Sequence, residues 1–458
     1  MSSDVWFAWR VRGVDLDGMV PSAMTRLAVT LLLCCVPSLV FAQAPVKEQW
    51  VVTTDLWGNP LYQAMTLERT SKRLGGEFDG DVLEGERTGQ DVRFTVTDSR
   101  KALSTFTGKV SGDTMRGTAD MPDTNNAQAR VKHAFTARRI AERPSGPPRR
   151  HEFKPTTWSN EFSATREPVL TLWSGDTLKT TTLDSGGVDE QGVTRALYGN
   201  PQTGPFFIGD ARPGDMLVIH LKRLRLNRRS ADSLDSIVGR AMTPVLAAKA
   251  TGLGKPVRWT LDWEKGVAHP ETPTESLKDF TVPLRPMLGG LAVAPGFGMP
   301  AISTGDTGRF GGNMDFNEVV EGNTVYLPVS QPGALLYLGD AHAAQGDGET
   351  SQFALETSME VELTVDVVRG KAPSMPRVES PTHLMVLGQA GSLDDALRLA
   401  TSGLTQWLEQ DYGLTLSESA QVMGTSVQYV VANLAGRSVG VVAKLDKSRL
   451  VKLRPTAK

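Results

Sequence analysis

Cysteine is almost missing: the 458 residues hold two, Cys34 and Cys35, adjacent in one N-terminal apolar run. Beyond residue 42 the sequence offers no disulfide, no thiolate metal ligand and no cysteine nucleophile. An excess of either charge is missing too. Lys and Arg number 49 against 51 Asp and Glu, a net charge of -2. Such a balance gives no basic field for nucleic acid or for an anionic membrane. The apolar run at 27–36 is shorter than the ~20 residues that cross a bilayer. No Gly-x-Ser-x-Gly elbow occurs, no Gly-rich loop leads into Lys-Ser/Thr, and there is no His-Glu-x-x-His. These absences exclude the serine-elbow hydrolases, the P-loop enzymes and the zincins.

What is present starts with that apolar run. Arg26 precedes it, and Pro37-Ser38-Leu39-Val40-Phe41-Ala42 follows it. The layout is that of an export signal over 1–42, with small-residue cleavage after Ala42. Met24 is a natural start for such a signal, which makes 1–23 an over-extended start or an unusual n-region. The expectation is a periplasmic or secreted protein with no membrane contact after cleavage. A cysteine-free mature chain suits an oxidising compartment.

The rest of the chain is long enough for two or three domains of ~100–200 residues. Residues 45–140 alternate strand-like runs, such as Val51-Val52-Thr53-Thr54 and Val92-Arg93-Phe94-Thr95-Val96, with turn signals. A weak repeat links Gly85-Glu86-Arg87-Thr88-Gly89 to Gly108-Lys109-Val110-Ser111-Gly112. The pattern predicts a small antiparallel barrel-like domain. Residues 141–150 carry Pro144, Pro147 and Pro148 and read as a linker. From 151 to about 370 short strands again dominate, and a jelly-roll-like β-sandwich is expected. One helix is possible over 233–249, interrupted by Pro244. The C-terminal part is expected to be mixed α/β. Ser392 caps a helix with Leu393, Ala396, Leu397, Ala400, Leu404, Trp407 and Leu408 at helical spacing. Thr415-Leu416-Ser417-Glu418 is a capping box, and 438–442 reads as a final strand. The fold class is therefore α+β and β-rich.

One stretch concentrates chemistry. Gly339-Asp340-Ala341-His342-Ala343-Ala344-Gln345-Gly346-Asp347-Gly348-Glu349 sets three carboxylates, an imidazole and an amide among Gly and Ala. Gly311-Gly312-Asn313-Met314-Asp315 is a second polar cluster upstream. If the strand through Leu335-Leu336-Tyr337 continues, Asp340 and His342 point to one face. Asp347 and Glu349 stand in the same i, i+2 relation. Converging on one cavity, such groups hold a divalent metal and its water, with a spare carboxylate to move the proton. The same acidic, Gly-rich stretch also suits a solvated turn or a structural calcium site.

These residues resemble the acetamidase/formamidase family. The likeness runs through both polar clusters, Tyr326-Leu327-Pro328-Val329, Pro332-Gly333-Ala334-Leu335 and Glu356. Upstream it takes in Ser174-Gly175-Asp176, Asn200-Pro201-Gln202-Thr203-Gly204-Pro205 and Ala211-Arg212-Pro213-Gly214-Asp215. Matches appear in order from about 165 to 445. The resemblance implies an acetamidase/formamidase fold over 151–455. It also implies metal-assisted hydrolysis of short linear amides to carboxylate and ammonia, and a homo-oligomer. Side-chain chemistry within it assigns Asp315, Asp340 and His342 to the metal, with zinc favoured and calcium possible. Asn313 and Gln345 are assigned to the substrate. Glu349, Asp347 and His342 are assigned to proton chemistry, and Asp184 is a further candidate. Two features depart from the family as the resemblance describes it, the export signal and the 45–140 module. Two rival readings stay open: a non-catalytic periplasmic binding protein with a structural cation, and a hydrolase of another linear carbon–nitrogen bond, such as a urea- or guanidine-like group.

Overall fold

The computed structural model describes residues 46–126 and 128–453. The expected export signal lies outside the described residues. Eight antiparallel strands, from Val46–Leu56 to Arg130–Ile140, close into a barrel in chain order. The first and last strands pair from Gln49↔Ile140 to Thr54↔Phe135, which leaves neither with a free edge. The strands alternate as half-buried strands must: in Val46–Leu56 the side chains of Trp50, Val52 and Thr54 are buried between more exposed neighbours. Trp50, Met65, Phe78, Phe94, Phe106 and Phe135 fill the interior. Phe94 and Phe106 stack with their rings 4.8 Å apart. The barrel is a packed core, not a vessel for a ligand.

Two large sheets form the body. Nine strands make one, including Met216–Leu226, Thr324–Pro328, Met359–Val368, His383–Ala390 and Val439–Asp446. Eleven make the other, including Gln202–Ile208, Met287–Ala292, Gly311–Asn313 and Leu336–His342. Leu217, Ile219, Val325, Leu327, Val361 and Leu363 of the first face Phe206, Leu288, Leu291, Leu336 and Leu338 of the second in one apolar core. Each such side chain, fully buried, contributes ~1.5–3 kcal/mol. Met359–Val368 alternates core and outer residues, while every residue of Leu336–His342 is buried. A strand covered on both sides is the place where polar side chains must find partners inside the protein.

The C-terminal helices form as the caps predict. The Ser392 hydroxyl accepts from the Asp395 amide, and the helix Leu393–Tyr412 stops at Gly413 with φ 66°. Thr415 and Glu418 close both halves of their capping box. Trp407 is core. Leu393 and Leu397 are exposed, and Gly403 joins the buried stripe instead, because its bare backbone lies against Val386. The helix expected over 233–249 shrinks to Pro244–Lys249. Pro244 starts it rather than kinking it, and Ser230–Leu234 is a strand.

The barrel packs onto the body. Val51 and Ile140 join the apolar core of the body, and Arg212 reaches from the body to the Thr66 hydroxyl at 2.8 Å. Residues 141–150 run along the body, where Arg143 donates to the Ser174 carbonyl and the Arg149 amide donates to Asp176.

Gly388 marks the tightest helix–sheet contact. A Cβ there would stand 1.8 Å from the Ala396 carbonyl oxygen and 2.5 Å from the Ala400 nitrogen. Gly388→Ala is expected to cost ~1–3 kcal/mol or more through overpacking. Gly391→Ala, where a Cβ meets nothing within 4 Å, is the control. Urea unfolding of the two variants beside the parent checks this. Equal midpoints would count against so close a contact.

Candidate functional site

Six chain segments meet at the end of the strand Leu336–His342, that strand included. That strand brings Asp340 and His342. The short strand Glu356–Thr357 lies beside it with Glu356 opposite His342. The loop between the two brings Glu349. Asp315 follows the strand Gly311–Asn313, and Asn433 ends the strand Gln428–Asn433. Asn200 comes from the turn before Gln202–Ile208. Asn200, Asp315, Asp340 and Glu349 all have positive φ, at 57°, 40°, 54° and 42°. Each such conformation costs ~1–3 kcal/mol in a non-glycine residue and persists only where its surroundings over-determine it.

Two sets of ligand-type atoms result, and they share His342. Asp315, His342 and Glu349 form one; Asp340, His342 and Glu356 form the other. Within each set the atoms lie within 4.8 Å of one another. Asp315 and His342 are 0% exposed, and the other three at most 5%. His342 Nε2 lies 3.3 Å from Glu356 Oε1 and 3.6 Å from Asp340 Oδ1. Neither approach has hydrogen-bond geometry, since Nε2 and Asp340 Oδ1 are both without a hydrogen-bond partner. Gly289 makes the convergence possible. A Cβ at that position would sit 2.4 Å from Asp315 Oδ1 and 2.6 Å from Asp340 Oδ2.

Amides hold the outer side of this cluster. Asn433 Nδ2 donates to Asp315 Oδ2 at 2.6 Å, and Asn313 Nδ2 donates to the same oxygen. Asn200 Nδ2 donates to Asn313 Oδ1 at 2.6 Å and to Asp340 Oδ2 at 3.1 Å. Gln345 Nε2 donates to the Asp315 carbonyl at 2.5 Å, which turns its Oε1 toward His342 Nδ1, 2.8 Å away. That oxygen only accepts, so Nδ1 carries a proton and Nε2 is the ring nitrogen that faces the carboxylates, where it holds a second proton or, once that proton is lost, offers a lone pair.

The inner side has no partners. Asp315 Oδ1, Asp340 Oδ1, His342 Nε2 and Glu356 Oε2 are buried without a hydrogen bond. Unsatisfied polar atoms are uncommon in protein interiors, and four spread over these two overlapping sets make a candidate donor set. Carboxylate oxygens and one imidazole, oriented from behind by amides, fit a hard or borderline divalent cation. Electrostatics agree. Burial, then the Asp340 charge, holds the Asp315 carboxyl well above its usual range. Burial and Asp315 do the same to Glu349, and burial raises Glu356. For His342 burial opposes protonation, but Glu356 and Asp340 outweigh it and push the imidazole up. Protons and a metal compete for the same negative charge.

The structure brings together Asp315, Asp340, His342 and Glu349 from the sequence reading, sets Asn313 and Gln345 behind them, and leaves Asp347 and Asp184 outside. Asp347 is exposed and accepts from Asn317 Nδ2 at 2.8 Å. Its loop does not continue as a strand, so the i, i+2 relation to Glu349 puts no second carboxylate in the cluster. Gln345 and Asn313 have their amides committed to His342, Asp315 and Asn200. Both amides thus hold groups of the cluster in place. Asp184 pairs with Arg228 at 2.8 Å and caps the turn at Val188. Glu356 had been quoted without a role, and Asn200 likewise. Asn433 carried no signal, being one asparagine far along the chain.

Comparisons with known proteins reach the same part of the chain. A model of the Acetamidase/Formamidase family matches residues 298–429, which include Asp315, Asp340, His342, Glu349 and Glu356. A protein of Schizosaccharomyces pombe named as a formamidase is 36% identical over 75 residues, 16% of this chain and 18% of that one. An acetamidase of Mycolicibacterium smegmatis is 38% identical over 61 residues, 13% of this chain and 15% of that one. The matched stretches thus span less than a fifth of those curated relatives. A solved acetamidase of Yersinia enterocolitica superposes with a TM-score of 0.58 at 26% identity, covering 67% of this chain and 94% of that one.

The raised pKa values carry a sign. For His342, Asp315, Glu349 and Glu356 the folded value lies above the unfolded one. Their contribution is therefore full below the unfolded values and lost as pH rises through the folded ones. The loss starts above ~4 for the carboxylates and above ~6.5 for the imidazole. Chelator-treated protein is expected to melt at progressively lower temperature from pH 5 to 8, and one equivalent of divalent metal to flatten that decline. A thermal scan across buffers, with and without metal, checks both. A chelated protein whose melting temperature rises over this range would contradict the assignment.

Proposed function

We propose, from the acetamidase/formamidase family that the family match, the curated relatives and the solved structure together support, that this chain is a metal-dependent hydrolase of short linear amides. The observation that carries the reading is the set of four unpartnered inner atoms of Asp315, Asp340, His342 and Glu356, inside the matched segment. The products are a carboxylate and ammonia. Export to the periplasm or medium, and a homo-oligomeric state, belong to the same proposal.

An amide resists water on two counts. Resonance makes its carbonyl a poor electrophile, and its nitrogen leaves only after gaining a proton. A divalent cation held by Asp315, Asp340, His342 and Glu356 would supply Lewis acidity, polarising a carbonyl and acidifying water. The protein's own groups do the rest. Gln345 keeps one His342 proton on Nδ1, so Nε2 is the nitrogen left to face a cation. Asn200, Asn313 and Asn433 hold one oxygen each of Asp340 and Asp315, which aims the other inward. Glu349 is the proton carrier. Burial, then the Asp315 charge, raises its carboxyl well above the usual carboxylate range; ionised, it takes a proton from attacking water, and the acid so formed returns that proton to the departing nitrogen. Its Oε1 is kept in place by the Ala354 amide at 3.2 Å. The cluster is at most 5% exposed, which is in keeping with formamide- and acetamide-sized substrates rather than bulky ones.

Purified protein incubated with formamide, acetamide, propionamide, urea and a guanidine compound is expected to release ammonia from the short amides first. Chelator should abolish release, and one divalent metal should restore it. Release indifferent to thorough chelation would sink the metal role. Selective turnover of urea would favour the other carbon–nitrogen class. No turnover, with chelation lowering only the melting temperature, would favour the binding-protein reading. Glu349→Gln is expected to lower kcat by about 10²–10⁴-fold, the usual size of an acid–base contribution, with circular dichroism unchanged.

A further inference from the structure

The joint between barrel and body contains a cavity of about 370 Å³, within the ~300–1,000 Å³ of small-molecule sites. No residue of the carboxylate cluster lines it. Val51, Arg116 and Arg138 line it from the barrel, and Arg166, Phe207 and Leu335 from the body. The charge is one-sided: three guanidinium groups face one carboxylate, Glu167. Among the described residues none of these four charged groups forms an ion pair within 4.0 Å. Arg166 has a single long contact, 3.3 Å to the Thr157 hydroxyl. Neighbouring arginines behave differently. Arg212 crosses the same joint and meets Glu77 at 3.5 Å, and Arg139, next to Arg138, meets Glu48 at 3.3 Å and Asp113 at 3.4 Å.

Like charges lining one cleft repel; the exposure of Arg116 and Arg138 to solvent moderates that repulsion, and Glu167 alone lines the cleft with the opposite charge. The Arg138 guanidinium lies 5.8 Å from the Phe207 ring centre, a cation–π distance that anchors one of the three at the cleft wall. Val51, Phe207 and Leu335 supply an apolar surface beside the charges. Guanidinium groups match carboxylate and phosphate oxygens with paired hydrogen bonds. We propose that this joint binds a small amphiphilic anion, with its carboxylate or phosphate head on Arg116, Arg138 and Arg166 and its apolar body against Val51, Phe207 and Leu335. Bound there, the anion touches both barrel and body, and so stabilises their docked arrangement by mass action. The site stands whether or not the carboxylate cluster hydrolyses amides.

Isothermal titration of the full protein with octanoate and with octyl phosphate tests this, with octanol as the uncharged control. One saturable site is expected for an anion, with Kd below about 1 mM. It should be insensitive to chelator and at least tenfold weaker in Arg116→Gln and in Arg138→Gln, with Arg138→Lys recovering part of the loss. The ratio of the two affinities identifies the head group. The proposal is overturned if neither anion saturates the unaltered protein, if octanol binds as well, or if a folded R116Q/R138Q protein binds unchanged. The first two results need no variant to fold.

Discussion

Four carboxylates around one imidazole, with almost no access to water, set the conditions that the rest of the centre must satisfy. At ~4 Å two unit charges repel by about 4 kcal/mol at an effective dielectric near 20. Asp315, Asp340, Glu349 and Glu356 cannot all be charged there without compensation. Amides supply part of it. Asn433 and Asn313 take one oxygen of Asp315, and Asn200 takes one of Asp340. What is left is a row of inward atoms with no partner. A proton or a cation must answer for them, and the upward shift of every titrating group resolved in the cluster expresses the same demand.

That demand explains the backbone around the cluster. Side chains of Asp and Glu are short, so bringing them within 4.8 Å requires the main chain to come close and turn sharply. Gly289 gives the close approach, since any Cβ there would occupy the space of two carboxylate oxygens. The positive φ values at Asn200, Asp315, Asp340 and Glu349 give the turns. Strain of this kind survives because the adjoining strand is buried along its whole length and paired on both sides, with Gly290↔Gly339 on one and Gln202↔Gly339 on the other. A rigid sandwich core therefore serves the site directly, by holding backbone that would relax on a looser frame.

Much of this could be read from the chain, and the failures have common physical causes. Strand alternation and turn residues predicted a barrel-like module, and its closed eight-strand form follows from the same pattern. Caps at Ser392 and Thr415 located both C-terminal helices, because capping is a local interaction. Asp340 and His342 were legible as a pair because they are two residues apart on one strand. The period argument failed for Asp347, where the strand had already ended and the side chain faces solvent. Period says nothing about the amides. Residue type suggests that Asn313 and Gln345 can hold a substrate amide. Only the fold reveals that their hydrogen-bonding groups are occupied by Asn200, Asp315 and His342. Asn433 joins through a contact across 118 residues, a separation over which local pattern carries no information.

The barrel bears on function in a way the cluster does not require. It contributes no ligand atom to either triad, and its own interior is filled by aromatic rings. The chemistry assigned to the cluster is complete within the body, so the barrel must be accounted for by its outer surface. That surface meets the body through a few apolar side chains, such as Val51 and Ile140, and through arginines. Where the arginines are paired, as Arg212 is with Glu77, they are part of the docking. Where they are unpaired and face a cleft, docking does not explain them, because a joint selected only for cohesion would place carboxylates opposite Arg116, Arg138 and Arg166. The surplus of positive charge at an otherwise well-matched junction is what separates a structural seam from a site for an anion.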